Sequence, residues 1–400
     1  MSEVVNIPQL RFPEFETDWE KEKLKNVSTY FNGGSFENDV QVEGRYELVT
    51  LKSINMSGSL VHSKRFIEIE VSTLSKNTLV MILSEQSPGL LGMTALIPID
   101  NKYVLNQRVA EIRPNDNVDS YFLSMSINRN QRYFGKHGAG TKVQNLSKPN
   151  VENYEFLCPT KPEQQKIAAF LTAVDNKIEQ LSKKQELLGE YKKGLMQKIF
   201  SQAIRFKADD GSEFPDWEEK KLGDLIAEIS DGGTPPTSNK GNFGGGINWV
   251  VIDDIRDEIR ITKETLTETG LSNSSSKLWK PETIILSTGA TIGRVGIAKI
   301  YTTTKQGVCG IVVNQFTSNL FLKYWFIFNI NLLKRFSQGS SIKEVRPPTL
   351  IKFDISTPSL PEQTKIANFL SSIDSKIEQV GKQLDESKQF KKALLQQMFV

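Results

Sequence analysis

Two long stretches of the sequence decide its organisation. Residues 159–200 read PTKPEQQKIAAFLTAVDNKIEQLSKKQELLGEYKKGLMQKIF, and residues 358–399 read PSLPEQTKIANFLSSIDSKIEQVGKQLDESKQFKKALLQQMF. About half of the positions are identical, and the two stretches align without a gap at an offset of 199 residues. A second repeat opens each half, where Trp19 and Trp217 follow a Phe-Pro pair. The chain is therefore two copies of one unit, a variable globular domain followed by a similar helix.

The repeated stretches have the pattern of long helices. Apolar residues recur at alternating spacings of four and three, which predicts a heptad seam, and a stripe of this length needs a partner helix. Thr160 with Glu163, and Ser359 with Glu362, predict capping boxes at the two N-termini. We expect the two helices to pair antiparallel as a coiled coil with a pseudo-twofold axis. The residues expected to pair the helices are Ile167, Leu171, Val174, Ile178, Leu181, Ile366, Leu370, Ile373, Ile377 and Val380.

A second apolar set lies partly off the seam and has two possible roles. It faces either the globular domains or another protein. Its members include Phe170, Tyr191, Phe200, Phe369, Phe390 and Phe399.

The variable regions have the pattern of mixed α/β (α+β) domains. Short apolar runs at 79–83, 247–252 and 283–286 predict strands, and 321–336 predicts a helix. The expected division is 1–158 for the first globular domain, 159–203 for the central helix, 204–357 for the second globular domain and 358–400 for the C-terminal helix.

Composition excludes several classes of protein. The 400 residues are 38% hydrophobic and 24% charged, which is typical of a globular chain. The longest apolar stretch, 320–333, is interrupted by Lys323, so no membrane span is expected. Two cysteines 151 residues apart form neither a disulfide framework nor a zinc-ligand spacing, and only two histidines are present. We expect a cytoplasmic protein without a metal site.

The distribution of charge is more informative than the net charge of +3. Residues 120–151 and 283–343 contain no Asp or Glu but carry several Lys and Arg. Two such stretches suggest two positive surfaces that face a polyanion, although a solvated basic face without a partner fits the charge alone.

Glycine-bearing loops accompany both basic stretches. Glycine allows the backbone to approach a phosphate closely, and Ser, Thr and backbone N–H groups donate to phosphate oxygens. These features favour DNA contact over ordinary surface loops, and His137 fits a phosphate or base contact or a plain exposed loop. The DNA-binding candidates of the first half are Ser84, Gln86, Ser87, Gln107, Arg129, Arg132, Lys136, His137, Lys142, Gln144 and Asn145. Those of the second half are Ser287, Thr288, Gly289, Thr291, Arg294, Gln306, Lys334, Arg335, Gln338 and Lys343.

No catalytic motif is present in the sequence. It lacks the phosphate-binding loop that carries a lysine, the dinucleotide-binding glycine pattern and the Asn/Asp-Pro-Pro-aromatic tetrapeptide of amino-methyltransferases. We therefore predict no catalytic residues.

The repeated motifs resemble those of the specificity subunit of Type I restriction-modification systems. The resemblance rests on Pro-Glu-Gln-x-Lys-Ile-Ala at 162–168 and 361–367, Asp-x-Lys-Ile-Glu at 175–179 and 374–378, Gly-Gly-Thr-Pro at 232–235 and Ser-Thr-Gly-Ala-Thr-Ile-Gly at 287–293. It covers essentially the whole chain. The first domain departs from it, with Ser-Glu-Gln-Ser-Pro-Gly at 84–89.

The resemblance implies a DNA-binding protein without catalysis of its own. Each variable domain would read one half of an interrupted double-stranded target. The helices would set the spacer and dock two modification subunits, which methylate adenine, and two restriction subunits would complete the nuclease. S-adenosylmethionine, ATP and Mg²⁺ would bind the partner subunits. The alternatives are a duplicated DNA-binding methyltransferase with its own cofactor site and a purely structural coiled-coil protein.

Overall fold

The computed structural model describes residues 7–85, 89–289, 291–337 and 344–400. They form two compact units. Unit 1 comprises Met1–Ser182 with Lys382–Val400, and unit 2 comprises Lys183–Gly381. Each unit therefore combines one globular region with segments of both repeated stretches.

Unit 1 begins with short strands and helices and leads into the first long helix. Its elements are β1 (Glu20–Lys23), α1 (Leu24–Val27), β2 (Ser28–Asn32), β3 (Tyr46–Val49), β4 (Phe66–Ile67), β5 (Leu79–Ile82), β6 (Ser84–Glu85), β7 (Thr94–Leu96), β8 (Tyr103–Leu105), β9 (Val109–Pro114), α2 (Ser120–Arg129), α3 (Gln131–His137), β10 (Gln144–Asn145), α4 (Lys148–Glu152), β11 (Glu155–Cys158) and α5 (Lys161–Phe200), which continues into unit 2.

The central sheet of unit 1 is antiparallel, in the order β2-β9-β5-β7. Strand β5 is buried on both faces. Leu79 and Met81 join the core that contains α2, whereas Val80 and Ile82 join a core on the other side. A second sheet has the order β4-β3-β8, and β1 pairs with β11 directly before α5. The sheet thus presents the ends of β2 and β5 on a scaffold that is packed on both sides.

Unit 2 repeats this plan. Its elements are β12 (Glu218–Lys221), β13 (Ile226–Asp231), β14 (Phe243–Val250), β15 (Glu258–Ile259), β16 (Glu264–Leu266), α6 (Glu268–Ser272), β17 (Ile284–Ser287), β18 (Val295–Ala298), β19 (Thr303–Thr304), β20 (Val308–Val313), α7 (Asn319–Phe328), α8 (Ile330–Arg335), α9 (Pro347–Leu350), β21 (Asp354–Thr357) and α10 (Leu360–Gln397), the second long helix. Its sheets have the orders β13-β20-β17-β18-β15 and β16-β14-β19, and β12 pairs with β21.

The offset of 199 residues extends into the sheets, where the sequences diverge. Asn32 lies opposite Ala110 in the β2–β9 pair, and Asp231 lies opposite Cys309 in the β13–β20 pair. The next residue of each strand end, Gly33 or Gly232, donates its N–H to the carbonyl of residue 109 or 308. The two globular regions therefore share one strand scheme, which confirms the expected mixed α/β repeat.

The long helices pair antiparallel within each unit. In unit 1 the seam residue Leu171 of α5 shares a core with Leu394 of α10, and in unit 2 Leu370 of α10 shares a core with Met196 of α5. The start of one helix thus packs against the end of the other. Of the ten residues predicted to pair the helices, seven are buried and three, Val174, Ile178 and Ile377, are half-buried.

The off-seam aromatic residues divide between the two roles left open. Phe399 is buried in the core of unit 1, and Phe200 packs against the core of unit 2. Phe170 contacts the ring of Phe12. Tyr191 and Phe390 are 55% and 52% exposed. Phe170 is 36% exposed, so Tyr191 and Phe390, which are 199 residues apart, are the most exposed of the described aromatic residues named above.

The bounds of two expected elements are wrong. The helix expected at 321–336 is two helices, α7 and α8, which meet at Asn329. The backbone N–H and side-chain amide of Asn329 both donate to the carbonyl of Trp325. The side chain therefore competes with the helical backbone hydrogen bond for this carbonyl. Strand β14 (Phe243–Val250) begins four residues before the run at 247–252 that was expected to form it, with a register shift before Ile247.

The capping boxes are not formed among the described residues. The Ser359 hydroxyl is buried and has no hydrogen-bond partner in the part of the chain that the structure describes. The Glu163 and Glu362 carboxylates bind arginine and tryptophan side chains instead. A bidentate arginine is a stronger partner for a carboxylate than a backbone amide.

None of the described helices combines the length with the apolar character required to cross a bilayer.

Candidate nucleic-acid interface

In unit 1 the end of the central sheet brings several candidates together. Strands β6 and β10 place Ser84 opposite Asn145 and Glu85 opposite Gln144. The Ser84 hydroxyl donates to the Asn145 side-chain oxygen. We call residues 84–85, 136–138 and 144–145 the first loop cluster. Ser84 is 3% exposed and Asn145 is exposed, so the serine fixes the asparagine, which is the residue open to a ligand.

A tight hairpin shapes the first loop cluster. Ala139 and Asn145 exchange two backbone hydrogen bonds of 3.0 and 2.9 Å. Gly140 has φ +126°, and a Cβ there would lie 2.0 Å from the Val143 carbonyl oxygen. This position accordingly requires glycine, because a side chain would meet backbone that cannot move aside.

The basic residues of the first loop cluster and its surroundings include three exposed cations. Arg132, Lys136 and Lys142 are exposed, and none forms an ion pair with a carboxylate among the described residues. His137 is half-buried, with Nδ1 at 2.8 Å from the Tyr133 carbonyl oxygen. Because a carbonyl only accepts, Nδ1 carries the proton and Nε2 is left to face other groups.

Two candidates of the first half have different surroundings. The Arg129 guanidinium lies 5.3 Å from the centre of the Phe399 ring, beside a cavity of about 350 Å³ that Trp19 also lines. Burial lowers the pKa of this guanidinium from its ordinary value. Gln107 is exposed in the turn between β8 and β9, where Arg108 has φ +65°. Arg129 is thus involved in packing the helix end, whereas Gln107 lies free on a turn.

In unit 2 the equivalent loop is built on backbone bonds. The N–H groups of Thr288 and Gly289 both donate to the Gly307 carbonyl, at 2.9 and 3.0 Å, and Val345 N–H donates to the Thr288 carbonyl at 2.9 Å. In unit 1, Leu83 and Leu146 make the corresponding bonds to Arg108 and Leu83. We call residues 287–289, 306–307 and 344 the second loop cluster.

The hydroxyl groups of the second loop cluster face inward. Ser287 is completely buried and Thr288 is 1% exposed. The Ser287 hydroxyl donates to the Thr291 carbonyl and accepts from the Arg294 backbone N–H at 2.8 Å. These side chains therefore shape the loop, and the exposed Gln306 beside Gly307 is the side chain open to a ligand.

The cations of unit 2 fall into three groups. Lys334 and Arg335 are exposed in the last turn of α8. Arg294 binds the Asp253 carboxylate and the Ile252 carbonyl, each at 3.1 Å. Lys323 is 1% exposed and pairs with Asp257, so it does not belong to the basic surface that its acid-free sequence suggested.

Four candidates, Gln86, Ser87, Gln338 and Lys343, lie outside the described residues.

Two carboxylates at the second loop cluster, those of Asp231 and Glu344, were not among the predicted site residues. Asp231, at the end of β13, is half-buried, and its Oδ1 has no hydrogen-bond partner among the described residues. Burial, together with the charge of Glu344, raises the pKa of Asp231 to about 6, while Arg346 opposes the rise. Glu344 pairs with Arg346 at 3.2 Å. Comparison of the two halves at the offset of 199 would have found them, because Asn32 and Asn145 occupy the equivalent positions.

The described residues contain no group of three His, Cys, Asp or Glu side chains arranged to hold a metal ion. Burial raises the pKa of Cys158 to about 12 and that of Cys309 well above its ordinary value, so neither thiol is a nucleophile at neutral pH.

A family match covers most of the chain. The family described as the Type I restriction modification DNA specificity domain matches twice, over residues 16–188 and 215–386. The chain belongs to this family. It carries two specificity domains, one in each half, and is a specificity subunit and not a catalytic subunit, which favours our first hypothesis over a duplicated methyltransferase.

Similar proteins support the family membership. The chain is 24% identical to the MjaX type I restriction enzyme specificity subunit of Methanocaldococcus jannaschii over 410 aligned positions, 98% of this chain and 95% of that one. It is 36% identical to the MjaIX specificity subunit of the same organism over 191 positions, 46% of this chain and 44% of the relative. The crystal structure of the Type-I restriction-modification system S subunit from M. genitalium has the same fold, with a TM-score of 0.65 at 16% identity over 98% and 99% of the two chains.

Each specificity domain is anchored to its long helix by the Glu of the repeated Pro-Glu-Gln motif. The buried Glu163 carboxylate accepts two hydrogen bonds of 2.8 Å from Arg11 and one of 3.2 Å from the Trp19 indole. The buried Glu362 carboxylate accepts from Arg205 and Trp217 in the same way. Trp19 is thus a buried anchor at the domain entrance.

The Gln of the motif orients the specificity domain through its backbone. Gln164 accepts from the Asp119 backbone N–H at 2.8 Å, and Gln363 accepts from the Ser318 N–H at 2.9 Å. Asp119 and Ser318 are the N-caps of α2 and α7. Glu therefore fixes the entrance of each domain onto the long helix, and Gln fixes the N-terminus of α2 or α7, roles that the motif alone did not reveal.

Proposed function

We propose that each specificity domain reads one half of an interrupted double-stranded DNA sequence and that the two loop clusters contact the DNA. The observation that carries the proposal is the equivalence of these clusters. Two corresponding backbone hydrogen bonds, from Leu83 and Leu146 in unit 1 and from Thr288 and Val345 in unit 2, hold both clusters on equivalent strand ends. Two equivalent surfaces that diverge in side chains suit a protein that reads two different half-sites.

Exposed cations near the loop clusters would supply the affinity that does not depend on sequence. Lys136 and Arg335 occupy equivalent positions in the last turns of α3 and α8. With Arg132, Lys142 and Lys334 they are free to release counterions from DNA phosphates. Base edges would be read by amide side chains, for which Gln107, Gln144, Asn145 and Gln306 are the described candidates.

The paired helices would set the separation of the half-sites and help to dock the partner subunits. In support, Tyr191 and Phe390 are large rings at equivalent positions of α5 and α10, and they are 55% and 52% exposed. Two equivalent apolar patches fit two copies of one partner. We assign them to two modification subunits, with two restriction subunits completing the enzyme.

The cofactors would be divided among the partner subunits. S-adenosylmethionine would bind the modification subunits, and ATP with Mg²⁺ the restriction subunits. The chain would act in the cytoplasm. We retain the division into recognition domains at 1–158 and 204–357 and helices at 159–203 and 358–400.

A domain replacement tests the proposal. Residues 25–151 are exchanged for the corresponding segment of a family member, and genomic methylation is sequenced in a host that also makes the modification subunit. We expect one half of the methylated sequence to change and the other to stay. The equivalent exchange in the second domain is the matched control and should change only the other half. Simultaneous change of both halves would contradict the proposal.

A second experiment tests the division of labour. The purified chain should neither methylate DNA nor bind S-adenosylmethionine, and addition of the modification subunit should create adenine methylation at one bipartite sequence. Turnover by the chain alone would favour the duplicated methyltransferase.

A further inference from the structure

Two carboxylates stand next to a surface that we assign to DNA. Asp231 ends β13 and Glu344 belongs to the second loop cluster, and they are close enough that the charge of Glu344 raises the pKa of Asp231. A carboxylate repels phosphates and accepts hydrogen bonds without donating any. At a DNA-binding surface it suits a hydrogen-bond donor on the DNA: Asp231 Oδ1 has no partner among the described residues, and Glu344 pairs with Arg346 at 3.2 Å.

The first specificity domain has amides at the same two positions. Asn32 and Asp231 are the last residues of the equivalent strands β2 and β13, opposite residues 110 and 309. Asn145 and Glu344 directly precede Leu146 and Val345, whose N–H groups make equivalent bonds to residues 83 and 288. The backbone frame is thus shared while the chemistry changes from two amides to two acids.

Some positions of the frame keep their chemistry, and others change. Gln107 and Gln306 are identical and 199 residues apart, and Lys136 and Arg335 are both cations, whereas Arg132 is replaced by Asn331. Positions 32 and 145 in one domain and 231 and 344 in the other change from amides to acids on a shared backbone frame. This pattern is expected of side chains that choose a base, because phosphate contacts are the same for every sequence.

We infer that residues 32 and 145, and their equivalents 231 and 344, are specificity-determining positions of the two domains, and that Asp231 and Glu344 accept hydrogen bonds from the exocyclic amino group of cytosine. In the major groove only cytosine and adenine present an amino donor, and adenine places its N7 acceptor beside it, which repels a carboxylate. Asn32 and Asn145 instead suit adenine, since an amide donates to N7 and accepts from N6. The inference rests on the proposed function.

The test uses the full chain together with its modification subunit. The variant Asp231→Asn/Glu344→Asn gives the second domain the side chains of the first, and the reciprocal variant is Asn32→Asp/Asn145→Glu. The matched control Glu264→Gln/Glu268→Gln removes two exposed acids from the same unit. Readouts are the methylated sequence in genomic DNA, the methylation rate on the original site and the thermal unfolding midpoint.

We expect Asp231→Asn/Glu344→Asn to slow methylation of the original site on the order of tenfold or more and to alter one or two base pairs of a single half-site. The reciprocal variant should alter only the other half-site, and the control should alter neither. The single variant Glu344→Gln keeps the size of the side chain and should also relax one half-site if the double variant unfolds.

Three outcomes would overturn the inference. These are an unchanged methylated sequence at an unchanged rate, a change in both half-sites, or the same uniform change in rate as the control. In each case the domain replacement would still change one half-site, so the proposed function would survive. If the wild-type complex methylates no bipartite sequence, the proposed function and the inference both fail.

Discussion

Lys391 of α10 forms an ion pair of 2.6 Å with Asp175 of α5, and the same carboxylate accepts a hydrogen bond from the Tyr121 hydroxyl of α2. In unit 2, Lys192 binds Asp374 at 2.5 Å, and Tyr324 of α7 donates to Asp374 at 2.7 Å. One aspartate in each unit therefore links its domain to both long helices. Burial and the neighbouring aspartate raise the pKa of each tyrosine, so both remain hydrogen-bond donors at neutral pH.

The aspartate link should be measurable as a coupling energy. In a double-mutant cycle with Asp175→Asn and Lys391→Gln, we expect a coupling of about 1 kcal/mol that decreases with salt, because the pair is only partly buried. Urea unfolding provides the measurement, and the cycle with Asp374→Asn and Lys192→Gln is the matched control. A coupling of zero in both units would mean that the helices pair through apolar contacts alone.

Ser359 should tolerate a substitution that usually destabilises a helix start. Removal of an N-cap serine commonly costs about 1 kcal/mol, but the Ser359 hydroxyl is buried without a partner among the described residues, so Ser359→Ala should be neutral or slightly stabilising. Gln363→Ala should cost about 2 kcal/mol, since Gln363 accepts from Ser318 and donates to the Phe316 and Pro358 carbonyls. Equal losses in chemical denaturation would show that Ser359 caps the helix after all.

Exposed cations on α8 should control the salt dependence of DNA binding. Lys334→Gln/Arg335→Gln should weaken binding to specific and non-specific DNA alike and should reduce the slope of log K against log salt by nearly 2, at about 0.9 for each lost phosphate contact. The matched control Lys220→Gln/Lys221→Gln removes two cations of β12, which pair with Glu218 and Asp354, and should leave the slope unchanged. An unaltered slope in the first variant would place α8 away from DNA.

Asp231 should make the stability of the chain depend on pH. Because burial raises the pKa of Asp231 to about 6, its protonated form favours folding. This contribution is complete below the ordinary aspartate pKa of about 3.9 and is lost as the pH rises through about 6. Wild-type chain should therefore lose up to about 1 kcal/mol relative to Asp231→Asn between about pH 5 and pH 7.5, a value reduced for partial exposure. Parallel pH profiles of the wild type and this variant in urea unfolding would exclude the effect, and Asp253→Asn is the exposed control.

The length of the helices should determine the DNA spacer. Insertion of seven residues after both Lys183 and Lys382 preserves the heptad register and adds roughly 10 Å of helix. The spacer in the methylated sequence should grow by up to about three base pairs while both half-sites remain. Insertion after Lys183 alone leaves the other helix unmatched and should disrupt the pair. An active double-insertion variant with the original spacing would show that the helices join the domains without setting their separation.

The sequence predicted the repeat and the long helices because both are periodic. The heptad pattern is a local property of the sequence, and the constant offset remains visible although the domains have diverged. The break at Asn329 was missed because it depends on one side chain competing for the Trp325 carbonyl within an otherwise apolar run. The position of Lys323 was missed because its partner, Asp257, is 66 residues away.

The candidate interface was predicted in outline and not in detail. Ser84, Gln144 and Asn145 do come together, since two strands pair there, but the inward orientation of Ser287 and Thr288 depends on backbone bonds that spacing does not reveal. Whether these residues touch DNA stays a prediction. Asp231 and Glu344 were not predicted because cations, amides and hydroxyl groups are the side chains expected to contact phosphates and bases. A comparison of the two halves marks both positions.

The core of unit 1 has a consequence for the order of events during synthesis. It contains Trp19 and Phe122, which are synthesised early, together with Leu394, Met398 and Phe399, which are synthesised more than 270 residues later. At 5–20 residues per second, the ribosome needs roughly 10–40 s to translate the stretch from Lys183 to Leu394. During that interval the first domain has emerged with an apolar surface that only the last residues can cover. The newly made chain should therefore depend on chaperones until translation ends, while unit 2 has all of its segments shortly after residue 381 leaves the ribosome.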